Sequence, residues 1–121
     1  MEVHEYSNLC KYEFIPDVLG RVLLNSERMT FFLVGIPPGK MVHARSHPHE
    51  RMGICLEGEA EFINGARKRI VRKGMVYRIA PNEEHEVRVT GSEKGVFLDV
   101  FSPSRSEYVS KQKSFEARDA I

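Results

Sequence analysis

The sequence predicts an all-β domain, a sandwich or a barrel. Turn signals made of glycine, proline and asparagine recur at short intervals, as IPPGK, EGE, NGA, KGM, APNEE and TGSEKG. The runs between them have strand length and are rich in valine, isoleucine and phenylalanine, which is how short antiparallel strands read in a sequence. In several runs apolar and polar residues alternate, the period of a strand with one buried face.

Taken in order, the strands are expected at Val22–Leu24, Met29–Ile36, Met41–His47, Met52–Glu57, Glu59–Ile63, Arg67–Val71, Val76–Ile79, Glu86–Thr90 and Val96–Phe101. The clearest hairpin is AEFI-NG-ARKRIV, where Asn64-Gly65 suits the positive φ angles of a type I′ turn. Alternation turns Ala60 and Phe62 inward, and places His85 on the side of Val87 and Val89. Tyr77 also faces in by this rule. The strand RMGICLEG has no polar face, so it is expected to be covered on both sides, one of them by a second subunit in a homodimer. After Pro103, Ser104 and Glu107 have the spacing of a capping box, which predicts a short helix to about Lys111. The remaining tail is polar and expected to be loosely attached. Residues 1–20 read as an N-terminal arm, 21–103 as the barrel, and 104–121 as the short helix and tail.

The chain of 121 residues has room for one domain. Its 18 lysines and arginines nearly balance 17 acidic residues, so no general attraction to nucleic acid or membrane is expected. The basic cluster ARKRIVRK alternates along a strand with no aromatic stacking platform beside it. Cys10 and Cys55 have no disulfide-framework spacing, and Cys55 sits in an apolar run where a buried thiol is ordinary. The N-terminus lacks the apolar stretch of a signal peptide, and no segment reaches the ~20 apolar residues of a membrane span. A cytoplasmic protein is therefore expected.

Two stretches carry a closer resemblance. GKMVHARSHPHERMGICLEG, Gly39 to Gly58, matches interval by interval the first cupin motif, in which a glycine precedes a histidine pair, an acidic residue and a second glycine. GMVYRIAPNEEH, Gly74 to His85, matches the second, with Asn82 where glycine is usual. Asparagine is the next-best residue for a left-handed turn. The chain thus resembles the cupin superfamily, which implies a double-stranded β-helix, the jelly-roll barrel of two antiparallel sheets. SHPHE, LEGEAEF and LDVFSPSR bring it nearest to small KdgF-like cupins of unsaturated-uronate breakdown and to cupins of bacilysin biosynthesis. That resemblance implies a reaction pocket lined by Asp99, Phe101 and Arg105, and an isomerase-type activity on a carbohydrate acid.

The same resemblance implies a metal held by the first-motif histidines and acidic residue and by the second-motif histidine. Here only His47 and His85 match, while Arg45 and Arg51 occupy the other two positions. Arginine offers donors only and does not deprotonate, whereas divalent ions take imidazole, carboxylate or thiolate ligands. No metal is therefore expected at the usual position. A rearranged site of His43, His47, His49 and His85 for zinc, nickel, iron or manganese is one alternative. Another is an internal Arg–Asp salt bridge that leaves a purely structural barrel. The reading preferred here is a small acidic molecule, such as a sugar acid, bound by Arg45 and Arg51. Tyr77 and Phe97 would complete its surroundings, with His47, His85 or Asp99 moving protons.

Overall fold

The computed structural model describes residues 1–43 and 46–119. After a short 3-10 turn, ten strands follow: β1 (Tyr12–Ile15), β2 (Val18–Asn25), β3 (Thr30–Ile36), β4 (Met41–His43), β5 (Glu50–Glu57), β6 (Glu59–Asn64), β7 (Arg67–Arg72), β8 (Val76–Ile79), β9 (Glu86–Thr90) and β10 (Gly95–Ser102). One helix closes the chain, α1 (Ser106–Asp119). A six-stranded sheet in the order β1-β2-β3-β10-β5-β8 faces a four-stranded sheet in the order β4-β9-β6-β7, and every pairing is antiparallel. This is the jelly roll.

Alternation sets the core. Thr30, Phe32, Val34 and Ile36 of β3 are buried, as are Phe97, Asp99 and Phe101 of β10 and Val87 and Val89 of β9. Two turns place the strands that follow them. In the β6–β7 hairpin positive φ falls on Gly65 alone, at 58°, so the connection follows the II′ pattern, with glycine first, rather than the expected I′. Asn82 takes φ 61°, the left-handed conformation its place in the second motif predicts. Its N–H donates to the His47 carbonyl at 2.7 Å, and Ser46 Oγ donates to the Asn82 carbonyl at 2.9 Å. The two motifs are thus tied to each other through backbone.

The ends of the chain are more structured than the sequence suggests. Residues 12–20 are not part of an arm: β1 and the start of β2 extend the larger sheet, joined by a turn with Asp17 at φ 68°. The capping box does not form either. Tyr108 and Val109 donate to the Arg105 carbonyl, so the helix starts later, and it continues far beyond Lys111. It is also well anchored. Tyr108 and Phe115 pack on the core, and Gln112 is buried between them. Gln112 Oε1 accepts from the Val22 N–H at 2.7 Å, and its amide donates to the Val22 carbonyl. The last β1 partner on β2 is Gly20, so this side chain satisfies the next free rung.

The centre of the outward face of the larger sheet is apolar, and its two rows end in Arg78 beside Met52 and Arg21 beside Leu33. Register aligns Phe31, Val100 and Met52 in one row, and Leu33, Leu98, Ile54 and Val76 in the next. Met52 is 51% exposed and Val76 75%.

Replacing Gln112 with alanine should destabilise the protein by about 1–3 kcal/mol, because the Val22 N–H loses its acceptor in a buried place. A urea melt with an unchanged midpoint would show that the helix does not brace β2.

Candidate functional site

Inside the barrel lies a cavity of about 540 Å³. The register of β3, β10, β5 and β8 divides its wall into layers. Asp99 is opposite Phe32 on one side and Gly53 on the other, and Gly53 is opposite Tyr77. One rung along, Phe101 is flanked by Thr30 and Arg51. Gly53 is required here: a Cβ would stand 2.3 Å from Asp99 Oδ1 and 2.5 Å from the Tyr77 hydroxyl. Its absence lets Tyr77 donate a short hydrogen bond to Asp99 Oδ1 across β5.

Arg51 is the central cation. Its side chain is only 13% exposed, and its guanidinium lies over the Tyr77 and Phe101 rings at 5.7 and 5.9 Å. Asp99 Oδ1 is 3.9 Å from Nε, within ion-pair range but too long for a hydrogen bond. Arg51 Nε has no hydrogen-bond partner among the described residues. Burial raises the Asp99 pKa, against the opposing pull of Arg51 and of the Tyr77 hydrogen bond. Burial first, then the Asp99 charge, pushes the Tyr77 hydroxyl well above its ordinary value. The barrel therefore does contain an internal Arg51–Asp99 ion pair, but a long one in which Nε makes no hydrogen bond among the described residues.

Three histidines stand beside it. The His47 ring is 5.6 Å from that of His85 and 5.3 Å from that of His49. His85 is buried, and its Nδ1–H donates to the Glu83 carbonyl at 3.0 Å. That fixes the tautomer and leaves Nε2 as an unpartnered lone pair. Glu83 is itself held by the Ala80 N–H and the Asn64 amide. His49 donates through Nε2 to the Ser104 carbonyl, which sets it behind His47. The His47 pKa is lowered to about 4, by burial first and then by Arg105 and the neighbouring imidazoles. That of His85 is lowered by burial and by Arg51.

At the rim, Arg105 stacks on Tyr108 at 4.2 Å and Phe101 at 5.0 Å and donates to Glu107. Asp99, Phe101, Arg105, Arg51, Tyr77, Phe97, His47 and His85 thus all line one space. His43 also borders this space but does not point into it with them. Val42 takes the inward direction on β4, so its neighbour His43 turns out, 74% exposed and 3.5 Å from Glu86. Arg45 lies outside the described residues. Sequence reasoning missed Phe14, Phe32, Tyr108 and Lys111, which complete the wall. For Phe32 the alternation of β3 was the available signal.

Comparison with known proteins places this architecture. The family model described as Cupin domain matches residues 32–101. The chain is a cupin. It is 27% identical over 100 residues to the pectin degradation protein KdgF of Dickeya dadantii, covering 81% of this chain and 90% of that protein. Among solved structures, an RmlC-like cupin from Shewanella frigidimarina superposes with a TM-score of 0.81 at 15% identity, covering 89% of this chain and 96% of its own. KdgF from Halomonas sp. gives 0.75 at 16%, covering 84% and 94%.

A divalent ion at the usual cupin position does not fit the residues this cupin places there. Among the described residues, no group of three or more histidine, cysteine, aspartate or glutamate side chains is arranged to hold one. An ion between His47 and His85 would share its space with Arg51, whose charge already bears on both rings. At ~5 Å and an effective dielectric near ~20, that repulsion costs several kcal/mol.

Protonation should expose the cavity's charge. Between the ordinary histidine value of 6.5 and about 4, the unfolded chain takes up a proton that folded His47 refuses. Stability therefore falls as pH drops through that window. His85 adds in the same direction, and Asp99, raised from 3.8, opposes. The His47→Gln variant should show a flatter Tm profile than the parent from about pH 7 to about pH 4.5. Parallel profiles would mean that His47 is not held neutral by its surroundings.

Proposed function

We propose that this cupin binds a carboxylated small molecule in its barrel and moves a proton on it. The observation that carries the reading is Arg51: a nearly buried, cavity-lining guanidinium only loosely opposed by Asp99, with no hydrogen-bond partner for Nε among the described residues. A planar carboxylate suits that vacancy in charge and shape. Arg105 is already neutralised at short range by Glu107, which leaves Arg51 as the principal grip.

The groups around it are suited to proton transfer. His85 Nε2 offers a lone pair whose tautomer is fixed from behind. Asp99 is biased by burial towards its protonated form. A base that takes a proton from the hydroxyl of an enol, or from a carbon of an allylic acid, and an acid that returns one to another carbon together give an isomerisation with no change in composition. The likeness to KdgF, a pectin degradation protein, supports a sugar acid such as an unsaturated uronate as the first substrate to try. The donor set supports a site that works without a resident divalent ion.

The reading extends to a second copy of the chain. The two apolar rows on the outer face of the large sheet form a contiguous patch, which on a lone protomer would stay in water. A C2 pair packing these faces together covers it. Sedimentation should give a dimer, and Val76→Lys should shift it towards monomer; a parent that sediments as monomer at micromolar concentration rejects the pairing.

Binding is tested by calorimetry, with galacturonate and hexanoate each compared with its uncharged primary amide. At least one acid should bind while its amide does not, and Arg51→Gln should weaken that acid at least tenfold. Amides binding as well as acids, or no acid binding, overturns the reading. Elemental analysis of the same preparation should find substoichiometric metal; stoichiometric zinc, nickel, iron or manganese favours the histidine-based site. Catalysis is followed by the ultraviolet absorbance of the unsaturated uronate, and a rate equal to background removes that substrate.

A further inference from the structure

The cavity's polar and apolar groups are separated, and this bears on what the bound acid looks like. We infer that the preferred ligand is an acid with an apolar body, an alkyl or aryl carboxylate, rather than a polyhydroxylated sugar acid. The inference rests on the carboxylate reading above and specifies the rest of the molecule.

Arg51, His47 and His85 line the cavity, and each carries a buried nitrogen, Arg51 Nε, His47 Nδ1 and His85 Nε2, without a hydrogen-bond partner among the described residues. All belong to the layer near Phe101, since the His47 ring is 6.3 Å from that of Phe101 and Arg51 lies over it. Several other polar side chains of the described lining are already committed. Tyr77 donates to Asp99, Ser46 to the Asn82 carbonyl, and Lys111 to the Phe14 carbonyl.

Two rungs down the barrel the wall changes character. Val34 and Phe97 pair across β3 and β10. Val42, Phe62 and Val87 meet them from the opposite sheet, with Val87 paired to both of the others. These five, with Ile36, line the same cavity, and none carries a side-chain hydrogen-bonding atom. Neighbouring layers are two residues apart along a strand, roughly 7 Å, and Arg51 Nε reaches to 3.9 Å from Asp99, in the layer next to that of Phe97. A small carboxylate seated on Arg51 would therefore send its far end among valines and phenylalanines.

A sugar acid carries hydroxyls on nearly every ring carbon. Placed here, those beyond the charged layer would lose water and gain no partner, a cost of about 1–3 kcal/mol for each hydroxyl left unpaired. An alkyl chain or phenyl ring in the same place gains by burial instead.

The test is a series of straight-chain carboxylates from acetate to octanoate, with phenylacetate and galacturonate, titrated calorimetrically into the unmodified protein. Affinity should rise about fourfold per added methylene over the first members, and galacturonate should bind at least tenfold more weakly than hexanoate. A flat series, or galacturonate binding as tightly as hexanoate, overturns this inference but leaves the Arg51 reading intact. Absence of binding by every acid overturns both. A second arm uses Val87→Thr, nearly equal in volume. It should weaken hexanoate several-fold and leave acetate unchanged; equal losses for both acids would count against an apolar subsite.

Discussion

A guanidinium taken out of water needs compensation, and the barrel of this cupin is arranged around providing it only in part. Arg51 receives two aromatic faces and a carboxylate at 3.9 Å, but no hydrogen bond to Nε among the described residues. Isolated buried charges are costly, and a half-made pair is a poor source of stability. The folded protein accepts that cost at the point where the motif residues of its family meet. Strain or incomplete pairing of this sort is what a preorganised binding site requires.

The surrounding structure keeps Arg51 from closing onto Asp99. Tyr77 holds Asp99 Oδ1 from β8, a contact made feasible because Gly53 carries no side chain between them. His85 is held from behind by the Glu83 carbonyl, and Glu83 by the turn that contains Asn82. Asp99 and His85 are therefore each held by a hydrogen-bond partner. The result is an arrangement of a loosely paired guanidinium, a carboxyl group whose pKa burial raises and two imidazoles whose pKa values burial lowers.

Most of this was legible in the sequence where local rules act alone. Alternation turned Tyr77 and His85 inward, the resemblance to KdgF-like cupins pointed to Asp99, and the second-motif turn foretold the positive φ of Asn82. The rule misled at His43. Its parity with His47 assumed one strand through 41–47, whereas His47 is outside any strand and His43 neighbours the inward Val42. Phe14 was illegible because the turn after it uses Asp17 in the left-handed region where a glycine would have been the visible signal. Tyr108 was hidden by composition: the buried stripe of α1 is Tyr108, Gln112 and Phe115, and a glutamine at its centre reads as a polar helix. Which arginine lacks a full partner depends on distances of a few tenths of an ångström, which no spacing rule encodes.

The glutamine has a further consequence. β1 covers only part of β2, and beyond Gly20 the outer margin of the six-stranded sheet would present bare amide and carbonyl groups to any passing extended chain. Such margins are templates for edge-to-edge aggregation. By filling both backbone positions of Val22 with one primary amide, the helix acts as a single-residue imitation of a neighbouring strand, and the protein protects its exposed border with a side chain rather than with more sheet.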